Sequence, residues 1–526
     1  MKADLQPLTR LDVAVAIGVF AAALTLYFRT AAPGLLLGDS AEFQTQAYTL
    51  GLTHPTGYPV YVLVARAFVS LLSGDLAWRV NVFSAVCAAA TLALVYLNAR
   101  MLIGWRFGAL SGAIGLGLAP VFWMHAAIAE LYAPAGLLLA GVIFALLQWR
   151  SSDGGRWLSA AGVLGGLSLG VHGTVALAAP AVLVYLLITP GRARWRAALT
   201  GALVGVAGYG LAFLISDAAR APSSYIETVV RPSVSVWGLN AADLDQPWGR
   251  LRFLLEARQF QGLVSSDLTA GVRENGPMYL EALQTQFTPV VVVLAVLGAV
   301  GLLIRQTREG VLLAVAWLIQ WLFTLNYGVG DILVFYIPGY VLLGIAVGAG
   351  AAYLQAGVAR ALRRGETTPR SAQALAGLTG LAVLALTVQP QVEVMASAWV
   401  DATPPAIDAM GFGDYPYPVN DPDRPRAEAE RLVDAIEDDA IIFTGWDRLY
   451  PALFVAHVER GRIGVAVHEA QPQEGEDGLA DSALAYIAAN WRTRPVYFTD
   501  RPGPALQRLY TFETVAGGLY RIEGER

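Results

Sequence analysis

Long apolar runs constrain this chain more than any other feature of its sequence. A helix needs about 20 mostly apolar residues to cross the hydrocarbon core of a bilayer. Only 15% of the 526 residues are charged, against about 25% in soluble proteins. The sequence therefore predicts a polytopic α-helical membrane protein with about eleven transmembrane helices. The predicted spans are 11–29, 79–99, 107–124, 130–149, 157–173, 174–190, 197–216, 288–304, 310–327, 332–353 and 372–389.

The charged residues are divided unevenly along the chain. Residues 390–526 hold 23 of the 41 acidic residues and 12 of the 36 basic residues, so they carry a net charge of about −11 and residues 1–389 about +6. The C-terminal part has a helical pattern at 424–437 and short buried-strand patterns at 440–444 and 495–499. We expect a membrane module at 1–389 and a soluble α/β domain at 390–526, which is long enough for its own core.

Basic residues in the short loops predict the orientation of the chain. The first apolar run lacks a small-residue cleavage site, which favours a retained helix over a signal peptide. With the N-terminus in the cytoplasm, the three short outer connections contain no basic residue. We therefore expect a plasma-membrane or bacterial inner-membrane protein whose C-terminal domain is extracytoplasmic. The fifteen basic residues on the cytoplasmic side are Lys2, Arg10, Arg100, Arg106, Arg150, Arg156, Arg192, Arg194, Arg196, Arg305, Arg308, Arg360, Arg363, Arg364 and Arg370.

Two long loops, 30–78 and 217–287, lie on the predicted outer side. The second mixes arginines with aromatic residues, and its stretch 248–260 predicts an amphipathic helix at the membrane interface. Polar side chains near lipid are costly and are usually functional. Those that gather at the outer ends of the predicted spans are Asp39, Glu42, His54, Tyr58, Arg79, Asn81, His125, Glu130, Tyr132, His172, Asn326, Asp331 and Tyr336.

Several of these residues also have a structural interpretation. Asp39 could cap the helix that follows it, Glu42 could face water, and His54 could be a turn residue before Pro55. Arg79 could extend to the lipid headgroups, and His172 could be a buried, hydrogen-bonded histidine. Their convergence at one membrane level favours a site, because carboxylates, a histidine and an arginine together suit proton abstraction beside an anionic group.

The sequence predicts no metal site and no cofactor. Cys87 is the only cysteine and lies in an apolar run, so neither an intrachain disulfide framework nor a cysteine-based metal site is expected. Apart from Asp39 and Glu42, no close pair of carboxylates stands out among the polar residues near the membrane.

Six short motifs, taken in order and by side of the membrane, resemble the GT-C superfamily of membrane glycosyltransferases. The closest resemblance is to the bacterial protein O-mannosyltransferase-like membrane proteins, which are related to the eukaryotic transmembrane O-mannosyltransferase of the secretory pathway. The similarity extends over residues 1–353 and more loosely over the remainder. The motifs are GDSAEF (38–43), HPTGYP (54–59), RVNVFSA (79–85), AELYA (129–133), LGVHGT (169–174) and GVGDILVFYIP (328–338).

The resemblance implies a GT-C-like transferase that moves a sugar, with mannose as the candidate, from a polyprenyl-phosphate donor to an acceptor hydroxyl on a protein or glycan. It implies membrane lipid and these substrates as partners, and no nucleic acid. Asp39 would be the general base and Glu42 its catalytic neighbour, although several relatives have an adjacent Asp-Glu pair where Ser40 and Ala41 intervene here. The residues implied to bind donor or acceptor are His54, Tyr58, Arg79, Asn81, Glu130, Tyr132, His172, Asp331 and Tyr336.

Two other functions stay open from the sequence. A flippase or transporter of a lipid-linked precursor would place ionisable residues near the bilayer centre on broken helices with an internal repeat, and no repeat is visible. A non-catalytic envelope assembly protein would act through the soluble C-terminal domain. Loss of activity on changing Asp39 alone would separate the enzyme from the assembly protein.

The orientation is tested by a reporter fused after residue 395. Because the basic residues of the short loops lie on one side, we expect a periplasm-active reporter such as alkaline phosphatase to be active there and a cytoplasm-active one to be silent. A cytoplasmic signal would contradict the orientation and would move every predicted site residue to the other side of the membrane.

Overall fold

The computed structural model describes residues 5–152, 154–190, 194–265, 267–363, 368–389, 392–405, 416–469 and 479–526. Three of the basic residues used to predict the orientation, Lys2, Arg192 and Arg364, lie outside these ranges, as does residue 390 at the predicted domain boundary. Within them, the first eighteen α-helices are α1 Arg10–Thr30, α2 Gly38–Thr49, α3 Pro59–Val69, α4 Leu76–Ile103, α5 Arg106–Gly117, α6 Pro120–Ala127, α7 Tyr132–Ser152, α8 Gly155–Ser168, α9 Ala179–Ile188, α10 Arg194–Ala219, α11 Pro247–Glu256, α12 Arg258–Gln261, α13 Leu268–Gln286, α14 Pro289–Arg305, α15 Thr307–Leu325, α16 Ile337–Arg363, α17 Pro369–Val388 and α18 Val392–Asp401.

Short 3-10 or π-helical turns along the chain occupy Gly173–Ala178, Ile226–Val230, Ala241–Leu244, Ile332–Tyr336, Phe454–Glu459 and Ala516–Gly518.

Four more helices and five strands follow in the C-terminal part. The helices are α19 Arg424–Asp434, α20 Trp446–Leu453, α21 Asp481–Asn490 and α22 Pro504–Leu509. The strands are β1 Ile441–Thr444, β2 Ala466–Glu469, β3 Val496–Phe498, β4 Tyr510–Thr514 and β5 Tyr520–Glu525.

The described ranges contain seven helical segments long and apolar enough to cross a membrane. Two bent pairs also qualify when each is taken as one span: α5 with α6, at 66°, and α13 with α14, at 111°. The predicted class, an α-helical membrane protein, is confirmed, with seven to nine spans by length and composition. The seven are Arg10–Thr30, Leu76–Ile103, Tyr132–Ser152, Trp195–Ala219, Thr307–Leu325, Ile332–Arg363 and Pro369–Val388.

The predicted total of eleven spans is not confirmed, because two predicted spans correspond to short helices. The span at 157–173 corresponds to α8, whose 14 residues extend only about 21 Å at 1.5 Å per residue, against a hydrocarbon core of about 30 Å. The span at 174–190 corresponds to the shorter apolar segment Gly173–Ile188. An apolar run in the sequence continues through the turn that ends α8, so composition alone does not register the break.

The chain divides into two compact units, of which the first comprises Met1–Ala31, Ser84–Tyr209 and Gly262–Pro416. In this unit α16 packs closely against α14 and α5. Glycines permit the approach, since a Cβ added to Gly350 of α16 would overlap the carbonyl oxygen of Leu294 in α14. Small residues at such crossings are what allow membrane helices to pack backbone against backbone.

The second unit comprises Ala32–Phe83, Gly210–Gln261 and Tyr417–Arg526. Its sheet has the strand order β2-β1-β3-β5-β4. Strand β1 is parallel to both of its neighbours, β2 and β3, while β5 is antiparallel to β3 and β4. The predicted C-terminal α/β fold is confirmed, because the expected strands at 440–444 and 495–499 are β1 and β3.

Both long loops contribute to the core of the second unit together with the C-terminal part. Leu35, Tyr225, Leu254, Tyr450 and Val467 are all buried in one apolar cluster. The predicted amphipathic helix forms as α11, yet Leu254 on that helix packs inside the protein rather than in lipid headgroups. The division into 1–389 and 390–526 stays a prediction, and the compact unit of the structure joins segments from both.

The packing of α16 against α14 predicts the effect of one added methyl group. Gly350→Ala should lower the free energy of unfolding by about 1–3 kcal/mol, because the Cβ forces two backbones apart. Gly377→Ala is the matched control, since a Cβ there would meet no atom within 4 Å and alanine favours the helix. Thermal unfolding in detergent compares the two, and equal melting temperatures would contradict the packing.

Candidate active site

Asp39 lies in the first turn of α2, in the second unit. The helix begins at Gly38, and the residue before it, Leu37, makes no side-chain cap. The alternative in which Asp39 caps a helix starting at Ser40 is therefore wrong, because Asp39 is already inside the helix. A carboxylate at this position still gains from the helix dipole. Its side chain is 42% exposed, so it is accessible from solvent.

Glu42, one turn further along α2, is fully buried and binds His54 twice. The backbone N–H of His54 donates to Glu42 Oε1 at 2.8 Å, and His54 Nδ1 lies 2.5 Å from Oε2. Burial raises the pKa of Glu42, while the adjacent His54 acts in the opposite direction. The alternative in which Glu42 faces water is wrong, since its side chain has no exposed surface. The pair fixes the orientation of the imidazole ring.

The other side of the imidazole faces Asp39. His54 Nε2 lies 4.0 Å from Asp39 Oδ2, which is an ion-pair distance when the ring is protonated. The second oxygen of Asp39, Oδ1, accepts a hydrogen bond from the indole N–H of Trp446 at 2.7 Å. Glu42, His54 and Asp39 therefore form a line from the buried interior of the unit to its accessible surface.

Aromatic rings surround the imidazole of His54. The rings of Phe43, Tyr58, Tyr225, Phe260 and Trp446 have centroids between 5.1 and 6.5 Å from it. Burial raises the pKa of Tyr225 well above the usual phenol value, so this hydroxyl stays protonated at neutral pH. Proton acceptance in this pocket is left to the carboxylates and the imidazole.

Arg79 and Asn81 lie on α4 and contact the backbone of the first loop. The guanidinium of Arg79 donates to the carbonyl oxygen of Gly74 at 2.7 Å through Nη2. Asn81 is fully buried, donates to the carbonyl of Ala32 at 2.8 Å and accepts from Gln44 at 2.9 Å. Asn81 therefore holds the start of the loop in position, and its predicted role in binding donor or acceptor stays a prediction.

The remaining predicted site residues lie in the first unit. The ring of Tyr132 packs against His172 at 5.0 Å and against His125 at 5.4 Å. His172 is buried, and its Nδ1 lies 2.6 Å from the hydroxyl of Thr174. Tyr336 is also buried, with its ring 4.8 Å from that of Tyr279.

Two predicted site residues of the first unit, Glu130 and Asp331, are less buried. The backbone N–H of Glu130 donates to Ser84 at 3.2 Å, and Asp331 is an exposed residue just before Ile332–Tyr336. Within the described part of the chain, no group of three or more His, Cys, Asp or Glu residues is arranged to hold a metal ion.

Sequence reasoning missed Tyr225, Phe260 and Trp446. Trp446 carries the clearest signal that was available, because it follows β1 directly, after Gly445. The carboxyl end of a parallel strand is a common location for ligand-contacting groups in α/β folds. Tyr225 and Phe260 lie in the second loop without a motif around them, so only the tertiary structure identifies them.

Comparison with known sequences supports the resemblance over the N-terminal part. Residues 39–195 match the family model of the protein O-mannosyl-transferase TMEM260 N-terminal domain. The chain is 26% identical over 156 residues to protein O-mannosyl-transferase TMEM260 of Mus musculus, covering 30% of this chain and 22% of that protein. It is 21% identical over 140 residues to the Dictyostelium discoideum protein of that name, covering 26% and 17%. The predicted resemblance is confirmed, although the chain spans only about a fifth of the length of these curated relatives.

A solved structure supports the fold. The archaeal oligosaccharyltransferase AglB from Archaeoglobus fulgidus, in complex with an inhibitory peptide and a dolichol-phosphate, aligns with a TM-score of 0.50 at 12% identity. The alignment covers 98% of this chain and 75% of that chain. The chain therefore shares the fold of that oligosaccharyltransferase, which agrees with the predicted fold class.

The double contact between Glu42 and His54 predicts the effect of removing one acceptor. Glu42→Gln should lower the free energy of unfolding by about 1–3 kcal/mol, because the amide has one acceptor oxygen in place of two and lacks the charge that strengthens both contacts. Glu428→Gln is the matched control, since Glu428 is an exposed residue of α19. Equal stability of the two variants, measured by thermal unfolding, would contradict the contact.

Proposed function

We propose that this protein is a glycosyltransferase that moves a sugar from a polyprenyl-phosphate donor to a hydroxyl of a protein or glycan at the extracytoplasmic face of the membrane. The observation that carries the proposal is the placement of Asp39. It is the first residue of the segment that matches an O-mannosyl-transferase domain, and it is accessible, with one oxygen held by Trp446 and the other facing His54. Mannose is the sugar that the relatives' names indicate.

In the proposed reaction Asp39 is the general base. Its Oδ2 takes the proton of the acceptor hydroxyl, and the acceptor oxygen attacks the anomeric carbon of the sugar. The bond from that carbon to the phosphate oxygen breaks, and polyprenyl phosphate leaves with the electron pair. A single displacement of this kind inverts the configuration at the anomeric carbon.

Glu42 has a supporting role in this proposal. Its side chain has no exposed surface, so it cannot reach a substrate and acts through His54 instead. With its Nδ1 on Glu42, the imidazole presents Nε2 toward Asp39. A ring fixed in this way keeps the carboxylate of Asp39 in one orientation while the acceptor binds.

A cation is needed for the departing phosphate. Arg79, the first candidate, already donates to the carbonyl of Gly74. Arg258 is an alternative, because it precedes Gln259 and Phe260, which contact Tyr225 and His54 respectively. Its Nε is 2.7 Å from Glu256, and its side chain is 31% exposed.

A lipid-linked donor is consistent with the rest of the molecule. The first unit contains an apolar cavity of about 800 Å³ whose lining includes Tyr279, Leu283, Val291, Trp317 and Leu342. Its surface suits an isoprenoid chain, which offers only apolar contacts. AglB, which shares the fold, holds a dolichol-phosphate, and this supports a donor of the same chemical class here.

Asp39→Asn tests the general base. The substitution preserves volume but removes basicity, so transfer from a polyprenyl-phosphate mannose to a serine- or threonine-containing peptide should fall by about 10²-fold or more. Asp439→Asn is the control, because Asp439 is an exposed acid that precedes β1, at the opposite end of this strand from Trp446. Transfer by Asp39→Asn at the control's rate, with both variants folded, would reject the assignment.

Substitution of the two arginines tests the phosphate site. Replacing the arginine that binds the phosphate with alanine should weaken donor binding by about 2–3 kcal/mol, the scale of a hydrogen bond to a charged group. Lysine should recover only part of the loss, because it cannot form the paired contacts of a guanidinium. Donor affinity measured for Arg79→Ala and Arg258→Ala identifies which one acts. Unchanged affinity in both would reject the two candidates together.

A further inference from the structure

The C-terminal part of the chain reaches the proposed general base directly. Trp446 begins α20, and this helix packs against α2, which carries Asp39. We infer that Trp446 is a positioning residue that holds the carboxylate of Asp39 for proton transfer, so that the C-terminal sheet domain completes the active site. The inference rests on the proposed function, in which Asp39 is the general base.

The contact between Trp446 and Asp39 is well defined on both sides. The indole N–H donates to Asp39 Oδ1 at 2.7 Å. The indole ring is packed against Tyr450 at 5.2 Å, Tyr225 at 6.0 Å and His54 at 6.1 Å. Three rings on different parts of the unit therefore fix where the donor points.

The backbones of the two helices are held together independently of the indole. The hydroxyl of Thr45 on α2 donates to the carbonyl of Tyr450 on α20 at 3.2 Å, and Tyr450 is fully buried. Ala41 of α2 and Leu453 of α20 are also buried in one apolar cluster. The GDSAEF segment (38–43) is therefore held against α20 by contacts that remain when the indole N–H is removed.

The contact gives the two oxygens of Asp39 different roles. An indole N–H can only donate, so Oδ1 stays an acceptor. Oδ2 remains available to the acceptor hydroxyl, with His54 4.0 Å away. The other titratable groups near the carboxylate are Glu42 on its own helix, Tyr225 from the second loop and Asp447 from α20.

Trp446→Phe removes the donor and keeps an aromatic ring. We expect kcat to fall by about 10- to 100-fold, because the base loses its fixed orientation, with little change in KM for donor or acceptor. The rate is compared per folded molecule, with the folded fraction of each variant measured alongside. A merely structural tryptophan would leave kcat per folded molecule unchanged.

Trp491→Phe is the matched control. It removes another tryptophan of the C-terminal part, whose indole nitrogen is buried without a hydrogen-bond partner among the described residues. This variant should retain the wild-type kcat per folded molecule and the wild-type KM. If Trp446→Phe is folded and matches Trp491→Phe in both respects, the inference is overturned.

A measurement without turnover separates this inference from the proposed function. In ¹⁵N-indole spectra of the full chain, the signal lost in Trp446→Phe identifies Trp446. We expect that signal to shift in Asp39→Asn, because the indole N–H donates to the carboxylate in the wild type. A signal unaffected by this substitution overturns the inference even if the protein transfers sugar. A responsive signal in a protein that transfers no sugar would reject the proposed function and leave the contact established.

Discussion

The buried pair of Glu42 and His54 is the interaction on which the geometry of the GDSAEF motif (38–43) depends. A carboxylate with no exposed surface is costly unless its oxygens are bound, and both oxygens of Glu42 bind the same histidine. This ties α2 to the HPTGYP loop and leaves one imidazole nitrogen directed at Asp39. The surroundings of the accessible carboxylate therefore depend on a buried one, and the two acids of a single motif lie in different environments.

The same constraint explains why three distant segments form one compact unit. The first loop supplies the acids and the histidine, the second supplies Tyr225 and Phe260, and the C-terminal part supplies Trp446. A separate soluble α/β domain attached to a membrane module would give these three segments no reason to pack together. The proposed active site does, because each segment contributes a contact to His54 or Asp39.

Much of this arrangement follows from the sequence, and the remainder does not for physical reasons. The sequence motifs correctly predicted that Asp39, Glu42, His54 and Tyr58 lie together, because these residues are close along the chain. The contact of Trp446 with Asp39 joins residues about 400 positions apart, which no periodicity reports. Apolar composition likewise identified the long helices, but it predicted spans at 157–173 and 174–190, where the structure has the shorter helices α8 and α9. A turn with apolar side chains has the same composition as a helix that continues.

The central claim, that Oδ2 of Asp39 receives the acceptor proton, is tested most directly by a structure of the protein with a non-reactive polyprenyl-phosphate sugar analogue and an acceptor peptide. The account predicts the acceptor hydroxyl within hydrogen-bonding reach of Asp39 Oδ2, about 2.6–3.2 Å, on the far side of the anomeric carbon from the phosphate. Both ligands bound with the hydroxyl away from Asp39 and beside another base would contradict it.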